Sequence, residues 1–256
     1  MRRFAIACLV AGLLWHPARA AEQTPFELYR AGNYEAARAA GEAANTAESL
    51  AVAARAVFAQ ANLSESPCLA CLKRVEALAG RSIALDATHP EAFVYLAAAV
   101  GYEARIVGNI RAQLAHIPET SKQAIDSALA VAPNDAWSLA AAGAWHIEVV
   151  RNAGSVLART LYGARAAVGI DYFQRAFAAD PTNLVIRFQY ALSLSGYDFA
   201  GHAQSAIQAL AAATTMEPRT VYESAIRTRA QTLLALIKAN KRNEYLALVN
   251  RYQGYP

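Results

Sequence analysis

Two cysteines three residues apart, Cys68-Leu69-Ala70-Cys71, are the side chains of this 256-residue chain best spaced for chemistry. Such a pair can close a structural disulfide, exchange disulfides as a dithiol, or supply part of a metal site. Ser66 and Pro67 read as the N-cap and first-turn proline of a helix, which puts both sulfurs where the helix dipole favours a thiolate. The surroundings are helical in pattern, with no βαβ context for a thioredoxin-like site, and Leu72 stands where haem attachment needs histidine. No further metal ligand lies close in sequence. The structural disulfide is therefore the expected role of Cys68 and Cys71, with thiol–disulfide activity as the alternative. So short a loop stabilises by less than about 3 kcal/mol on the chain-entropy estimate.

The remaining titratable groups suggest binding, not reaction. His89, His116, His146 and His202 fall in different segments, and none is spaced i, i+4 from another ligand type. They make no zinc set and no catalytic triad, so the sequence assigns no catalytic residue, no metal and no cofactor. Trp145, His146, Glu148 and Arg151 form the most suggestive run, with Tyr102, Glu103 and Arg105 as its counterpart in the preceding unit. Trp145 and Glu148, Glu148 and Arg151, and Tyr102 and Arg105 are each three apart, so each pair shares a helix face. On the hollow side of a helical array, such side chains hold extended peptides or helices. The same spacing also suits a core tryptophan beside an internal Glu148–Arg151 ion pair.

The elements that must position these residues are marked by four proline turns. Asp86-Ala87-Thr88-His89-Pro90, Ala132-Pro133-Asn134-Asp135, Asp180-Pro181-Thr182-Asn183 and Glu217-Pro218-Arg219-Thr220 each end one helix-like run and begin another. Recurring punctuation of one kind marks a helical-repeat array, in which each hairpin buries its apolar face on its neighbours. Alanine and leucine are abundant, glycine is sparse and hairpin-bounded β-branched runs are missing, so helices are predicted nearly throughout. Thr24-Pro25-Phe26-Glu27, Thr88-His89-Pro90-Glu91 and Thr220-Val221-Tyr222-Glu223 read as capping boxes. The intervals Ala87–Pro133, Pro133–Pro181 and Pro181–Pro218 are 46, 48 and 37 residues, against about 34 for a tetratricopeptide repeat. The two middle units thus carry insertions at 110–119 and 152–165. Each holds a short amphipathic piece, Ile110–Leu114 and Val156–Leu161, expected on one rim of the array. Ala97-Ala98-Ala99 and Ala140-Ala141-Ala142-Gly143 read as close helix packing.

Arg2 and Arg3, the apolar run Phe4–Trp15, Pro17 and Ala18-Arg19-Ala20 have the layout of a secretory signal peptide cleaved after Ala20. Without its three arginines the chain keeps 21 basic and 20 acidic side chains, so the whole-chain net charge of +4 is largely borrowed from the leader. A near-neutral body gives no prior for nucleic acid or for an anionic membrane, and no mature segment is apolar enough for stable membrane insertion. The basic side chains near the last helices, Lys238 to Arg242 among them, read as a solvated face.

The second long unit carries a specific wording: Gly143-Ala144-Trp145-His146-Ile147-Glu148-Val149, then Leu161-Tyr162-Gly163-Ala164, then Phe173-Gln174-Arg175-Ala176 closing on Asp180-Pro181. From Glu91 to Tyr197 the chain resembles the tetratricopeptide-like repeats of the regulator of microtubule dynamics family. The resemblance implies a non-catalytic helical interaction domain. Its cytoskeletal role does not transfer to an exported chain. Arg165 also stands where the family's loop carries proline, which alters that turn.

Together these readings predict an all-α, tetratricopeptide-like helical-hairpin solenoid with lengthened middle repeats near 87–181. It follows a leader at 1–20, with N-terminal helical repeats over 21–66 and the main array over 67–256. The expected function is non-enzymatic: an exported, periplasmic protein presenting a concave groove, lined by Tyr102, Arg105, Trp145, His146, Glu148 and Arg151, to a protein or peptide partner in the cell envelope. Two alternatives stand beside it, a periplasmic small-molecule carrier or transport accessory that uses the apolar concavity, and a thiol–disulfide protein that uses the cysteine pair.

Overall fold

The computed structural model describes residues 23–64, 66 and 68–256; the leader and Pro67 lie outside the described residues. Among the described residues there is no strand, and twelve helices follow one another: α1 Pro25–Arg30, α2 Tyr34–Ala44, α3 Ala47–Leu63, α4 Leu69–Leu85, α5 Pro90–Val107, α6 Asn109–Leu114, α7 Ile117–Val131, α8 Ala136–Tyr162, α9 Ala166–Ala179, α10 Leu184–Thr215, α11 Val221–Lys238 and α12 Arg242–Tyr252. The four proline turns separate α4 from α5, α7 from α8, α9 from α10 and α10 from α11, as the punctuation predicts.

The sequence pattern predicts Ala136–Arg151 and Ser155–Leu161, and likewise Leu184–Leu194 and Ala200–Thr215, as separate helices; the structure runs each pair together, as α8 and α10, with a break in the predicted gap. In α8 Gly154 has φ 76°, ψ 159°, so residues 155–162 form a second limb. In α10 the break is at Asp198, whose Oδ1 accepts the Gly201 N–H at 3.0 Å and caps the second limb.

The caps divide. Thr24 and Glu27 form the predicted box. Thr220 accepts from the Glu223 N–H, but the Glu223 carboxylate turns to the Arg219 N–H. Thr88 does not cap α5, because its hydroxyl and N–H both go to Asp86 Oδ1 in an Asx-type turn, leaving His89 as an N-cap without a side-chain bond. Nor does Ser66 cap α4: Cys68 takes that place, its Sγ accepting the Cys71 N–H at 3.1 Å.

Helices α3, α5, α8 and α10 stand side by side, each touching the next, while α4, α7 and α9 pack outside them. The α8–α9 contact is a close crossing with glycine on both helices. A Cβ on Gly143 would lie 2.8 Å from the Gly169 carbonyl oxygen, and one on Gly169 would lie 2.7 Å from that of Gly143. Hydrogen side chains at this point let the two backbones touch.

The array does not remain an open slab. Val52, Ala56 and Ala59 of α3 share one buried cluster with Tyr222, Ile226 and Ala230 of α11. Asn62 ties the ends: its Oδ1 accepts from Tyr222 Oη at 3.1 Å and Arg229 Nη1 at 3.2 Å, and its carbonyl accepts from Arg229 Nη2 at 3.0 Å. The hollow flank thereby becomes a trough closed at its ends.

Candidate functional site

The trough encloses about 800 Å³, within the size range of small-molecule pockets, roughly 300–1,000 Å³. Its floor is made by the inner helices. Ala97, Ala98 and Gly101 of α5 face it beside Ala140, Ala141 and Ala144 of α8, and Tyr29, Phe58, Tyr95 and Trp137 form aromatic walls. The alanine stretches do pack helices, as Ala99, Ala142 and Gly143 are buried. Their neighbours Ala98, Ala141 and Ala144 are only half-buried and open on the trough. Small side chains on adjacent helices thus create the volume as well as the contact, a consequence that reading them as packing alone misses.

At one end four of the predicted groove residues come together, but on the chain's own segment 250–255. The Arg105 Nε and Glu148 Oε1 atoms are 3.1 Å apart, and the Arg105 guanidinium lies 4.4 Å from the centre of the Tyr102 ring. Arg105 Nη1 donates to the Gln253 carbonyl at 2.6 Å. Arg151 donates to Gln253 Oε1 at 2.7 Å and to Asn250 Oδ1 at 2.8 Å, and its guanidinium lies 4.3 Å from the Tyr255 ring centre. The Tyr255 hydroxyl donates to Glu148. Gly254, at φ +82°, lies so close to the Tyr102 ring that a Cβ would stand 2.7 Å from it.

Burial pushes the Glu148 carboxyl up, but Arg105, then Arg151, and the Tyr255 and Asn152 hydrogen bonds outweigh it and hold the group below its ordinary value. Burial likewise opposes the charge on Arg105, and Glu148, Tyr102 and Tyr255 more than offset that. A buried charge is tolerated when it is paired and hydrogen-bonded, and both conditions hold here. These charges are already satisfied.

Of the other two predicted groove residues, Trp145 borders the trough and His146 does not. Trp145 is buried, its Nε1–H donating to the Pro118 carbonyl at 2.9 Å, so it pins the start of α7 to α8 and gives the trough only part of its surface. His146 does not face the trough. It is 8% exposed, stacks on Tyr172 of α9 with ring centres 5.8 Å apart, and accepts the Arg165 N–H on Nδ1 at 3.3 Å. Burial, with Lys122 nearby, pushes its imidazole down to about 4, which keeps it neutral.

Arg55 is the site residue that the motif reading omits. It is the lone cation of the apolar α3 helix, and it faces the other end of the trough. Its guanidinium sits 5.4 Å from the Phe26 ring centre and 5.3 Å from that of Tyr29, and its Nε donates to Glu91 Oε1 at 2.7 Å. A single arginine between alanines is the signal that points to it. The Cys68 and Cys71 sulfurs are bonded to each other, with Cα atoms 5.2 Å apart, at the start of α4 and off the trough wall. Among the described residues no three His, Cys, Asp or Glu side chains are grouped to hold a metal ion.

The fold and site define an all-α array of helical hairpins wrapped around an apolar trough. The chain belongs to the family described as regulator of microtubule dynamics protein 1-3, which it matches over residues 18–238. The match takes in the N-terminal helices and α11, well beyond the Glu91–Tyr197 stretch in which the wording is recognisable. Helix α12 and segment 250–255, which fill the charged end of the trough, lie beyond it. No curated protein matches this chain.

Proposed function

We propose that this chain is an exported, non-catalytic binding protein that holds an elongated, predominantly apolar ligand in its trough. One observation carries the reading. Most charged groups that line the hollow side are held in internal pairs, Arg105 with Glu148, Arg55 with Glu91 and Arg219 with Glu223, so the wall left for a ligand is predominantly alanine and aromatic. A site of this kind binds by area and shape, with a few polar groups to orient the ligand. Arg55 is the one best placed to do so. Export rests on the leader pattern, and the structural role of the Cys68–Cys71 bond rests on the oxidising compartment that export implies.

Native mass spectrometry of gently purified protein should reveal a retained small molecule that leaves on unfolding. Titration with cis-parinaric acid should then quench Trp137 and Trp145 saturably, and Ala98→Phe with Ala141→Phe should weaken binding by about tenfold or more by filling the floor. Absence of both a retained molecule and saturable quenching would sink the proposal.

A second reading, a peptide or protein partner in the cell envelope, is favoured by segment 250–255 itself. Its backbone carbonyl at Gln253 and its side chains at Asn250, Gln253 and Tyr255 already use this end of the trough as a peptide would.

A further inference from the structure

The two insertions of the long repeats share a design that the trough does not explain. Helix α6 follows Gly108 at φ 83°, ψ 159°, and the second limb of α8 follows Gly154 at φ 76°, ψ 159°. The same left-sided break, open only to glycine at low cost, turns each insertion away from the helix before it. Ala112 and Ala158 anchor the two pieces inward, being buried against Val100 and Ile117 in one case and beside Trp145 and Ala164 in the other. Asn109 Nδ2 reaches the Asn152 carbonyl at 3.4 Å and links them.

Their outer faces are apolar and uncovered. Ile110 is 78% exposed, Leu114 77% and Val156 74%, and Leu157 and Leu161 are 54% and 56% exposed at the trough wall. These are five of the eleven large apolar side chains exposed among the described residues, and all five lie on the two insertions, which border the trough through Ala112, Gln113, Leu157 and Leu161. Scattered single residues would need no explanation, but a cluster does.

Charge specifies the occupant. Residues 109–117 and 153–169 contain no Asp or Glu, yet they hold Arg111, Arg159 and Arg165, all exposed. Of the acids that follow in sequence, Glu119 faces His116 at 3.8 Å and Asp126 is held by Lys122 at 2.7 Å. Apolar side chains ringed by unopposed arginines match the acyl boundary and headgroups of an anionic bilayer. The near-neutral total charge hides this local asymmetry. Among the described residues no helix is long and apolar enough to cross a membrane, so the contact would be peripheral.

We infer that the rim formed by α6 and the second limb of α8 docks on an anionic membrane surface, with Ile110, Leu114 and Val156 entering the interface and Arg111, Arg159 and Arg165 meeting the headgroups. Docking in this orientation turns the mouth of the trough toward the bilayer.

The test is flotation of the full chain with vesicles of phosphatidylcholine alone and with roughly one part in three phosphatidylglycerol. The wild type should float with the anionic vesicles and be released by salt. The triple variant Ile110→Glu, Leu114→Glu, Val156→Glu should lose on the order of tenfold or more in partition. The arginine variant Arg111→Gln, Arg159→Gln, Arg165→Gln should lose the preference for anionic lipid and its salt dependence. None of the three apolar positions lines the trough, so parinaric acid binding should persist in the triple variant, and failure of the rim is separable from failure of the ligand site. No flotation of the wild type, or equal flotation of wild type and triple variant, overturns the inference. So does a dimer of the wild type, seen by ultracentrifugation without lipid, that the triple variant dissolves. Should the triple variant lose helical content, the arginine variant decides, and unchanged partition to anionic vesicles overturns the inference.

Discussion

Single side chains on α8 show how far residue spacing leads and where it stops. An α-helix advances about 100° per residue, so Trp145 and Glu148 sit some 60° apart while His146 lies roughly 160° from Glu148. Helix arithmetic alone therefore separates His146 from the groove set, and the structure places it against α9 accordingly. What spacing could not reveal is the partner of the charged set. Gln253 lies 148 residues from Arg105 and Tyr255 lies 107 from Glu148, and no local pattern announces such pairs. Charge reversal at Arg105 would consequently test folding before it tested binding, since it leaves Glu148 buried beside a like charge.

His146 gives a cleaner readout. Its imidazole is depressed to about 4 from an ordinary 6.5, so as pH falls the unfolded chain takes the proton first. The stability this group contributes is complete above about 6.5 and is lost progressively toward 4, with a slope of up to about 1.4 kcal/mol per pH unit. Lys122 and Asp126 act on the same ring in opposite senses, and neither reverses the sign. Urea unfolding across this window should show the slope, and His146→Asn, which keeps an acceptor for the Arg165 N–H, should flatten it. Equal slopes in both proteins would refute the assignment.

Helices themselves were largely readable, because turn chemistry and periodicity act over a few residues. Asp86, Asp135 and Asp180 each organise a proline turn through their carboxylates, and the sequence shows all three. The breaks at Gly154 and Asp198 were also visible, although neither fully separates two helices. Less visible was why Gly143 and Gly169 matter, since the need arises only when α8 meets α9. At that crossing Gly169→Ala should place its methyl 2.7 Å from the Gly143 carbonyl oxygen and 2.8 Å from Ile147 Cγ1. The expected cost is about 1–3 kcal/mol, the usual range for overpacking. Gly80 supplies the contrast: it lies in α4 with nothing within 4 Å of an added Cβ. Gly80→Ala should stabilise by roughly 0.5–1 kcal/mol through helix propensity and reduced chain entropy. Urea midpoints should move in opposite directions with unchanged m-values. Loss of stability in both, or in neither, would refute the assignment of a space-limited backbone contact to the α8–α9 crossing.

At the scale of the whole molecule, closure of the array is the property that turns a groove into a trough, and it hangs on few groups. Repeats stack through neighbours, so their order follows from the chain, whereas contact between an early helix, α3, and a late one, α11, depends on accumulated curvature that no short motif encodes. Asn62 is where the ends meet. It accepts from Tyr222 and Arg229 of α11 and donates through Nδ2 to Tyr102 Oη at 3.1 Å on α5. One amide thus joins three helices. Asn62→Ala would leave the Tyr222 hydroxyl and part of the Arg229 guanidinium without their partners, at a cost of about 2 kcal/mol. For a chain of this size that corresponds to a fall in Tm of roughly 4–8 °C. Because the buried cluster that holds Val52 and Ala56 together with Tyr222 and Ile226 remains, the array should loosen at this seam and not unfold. Small-angle scattering should report a larger radius of gyration with helical content intact, and parinaric acid should exchange faster from the variant. A variant as compact as the wild type, with unaltered exchange, would show that the apolar seam alone holds the trough closed.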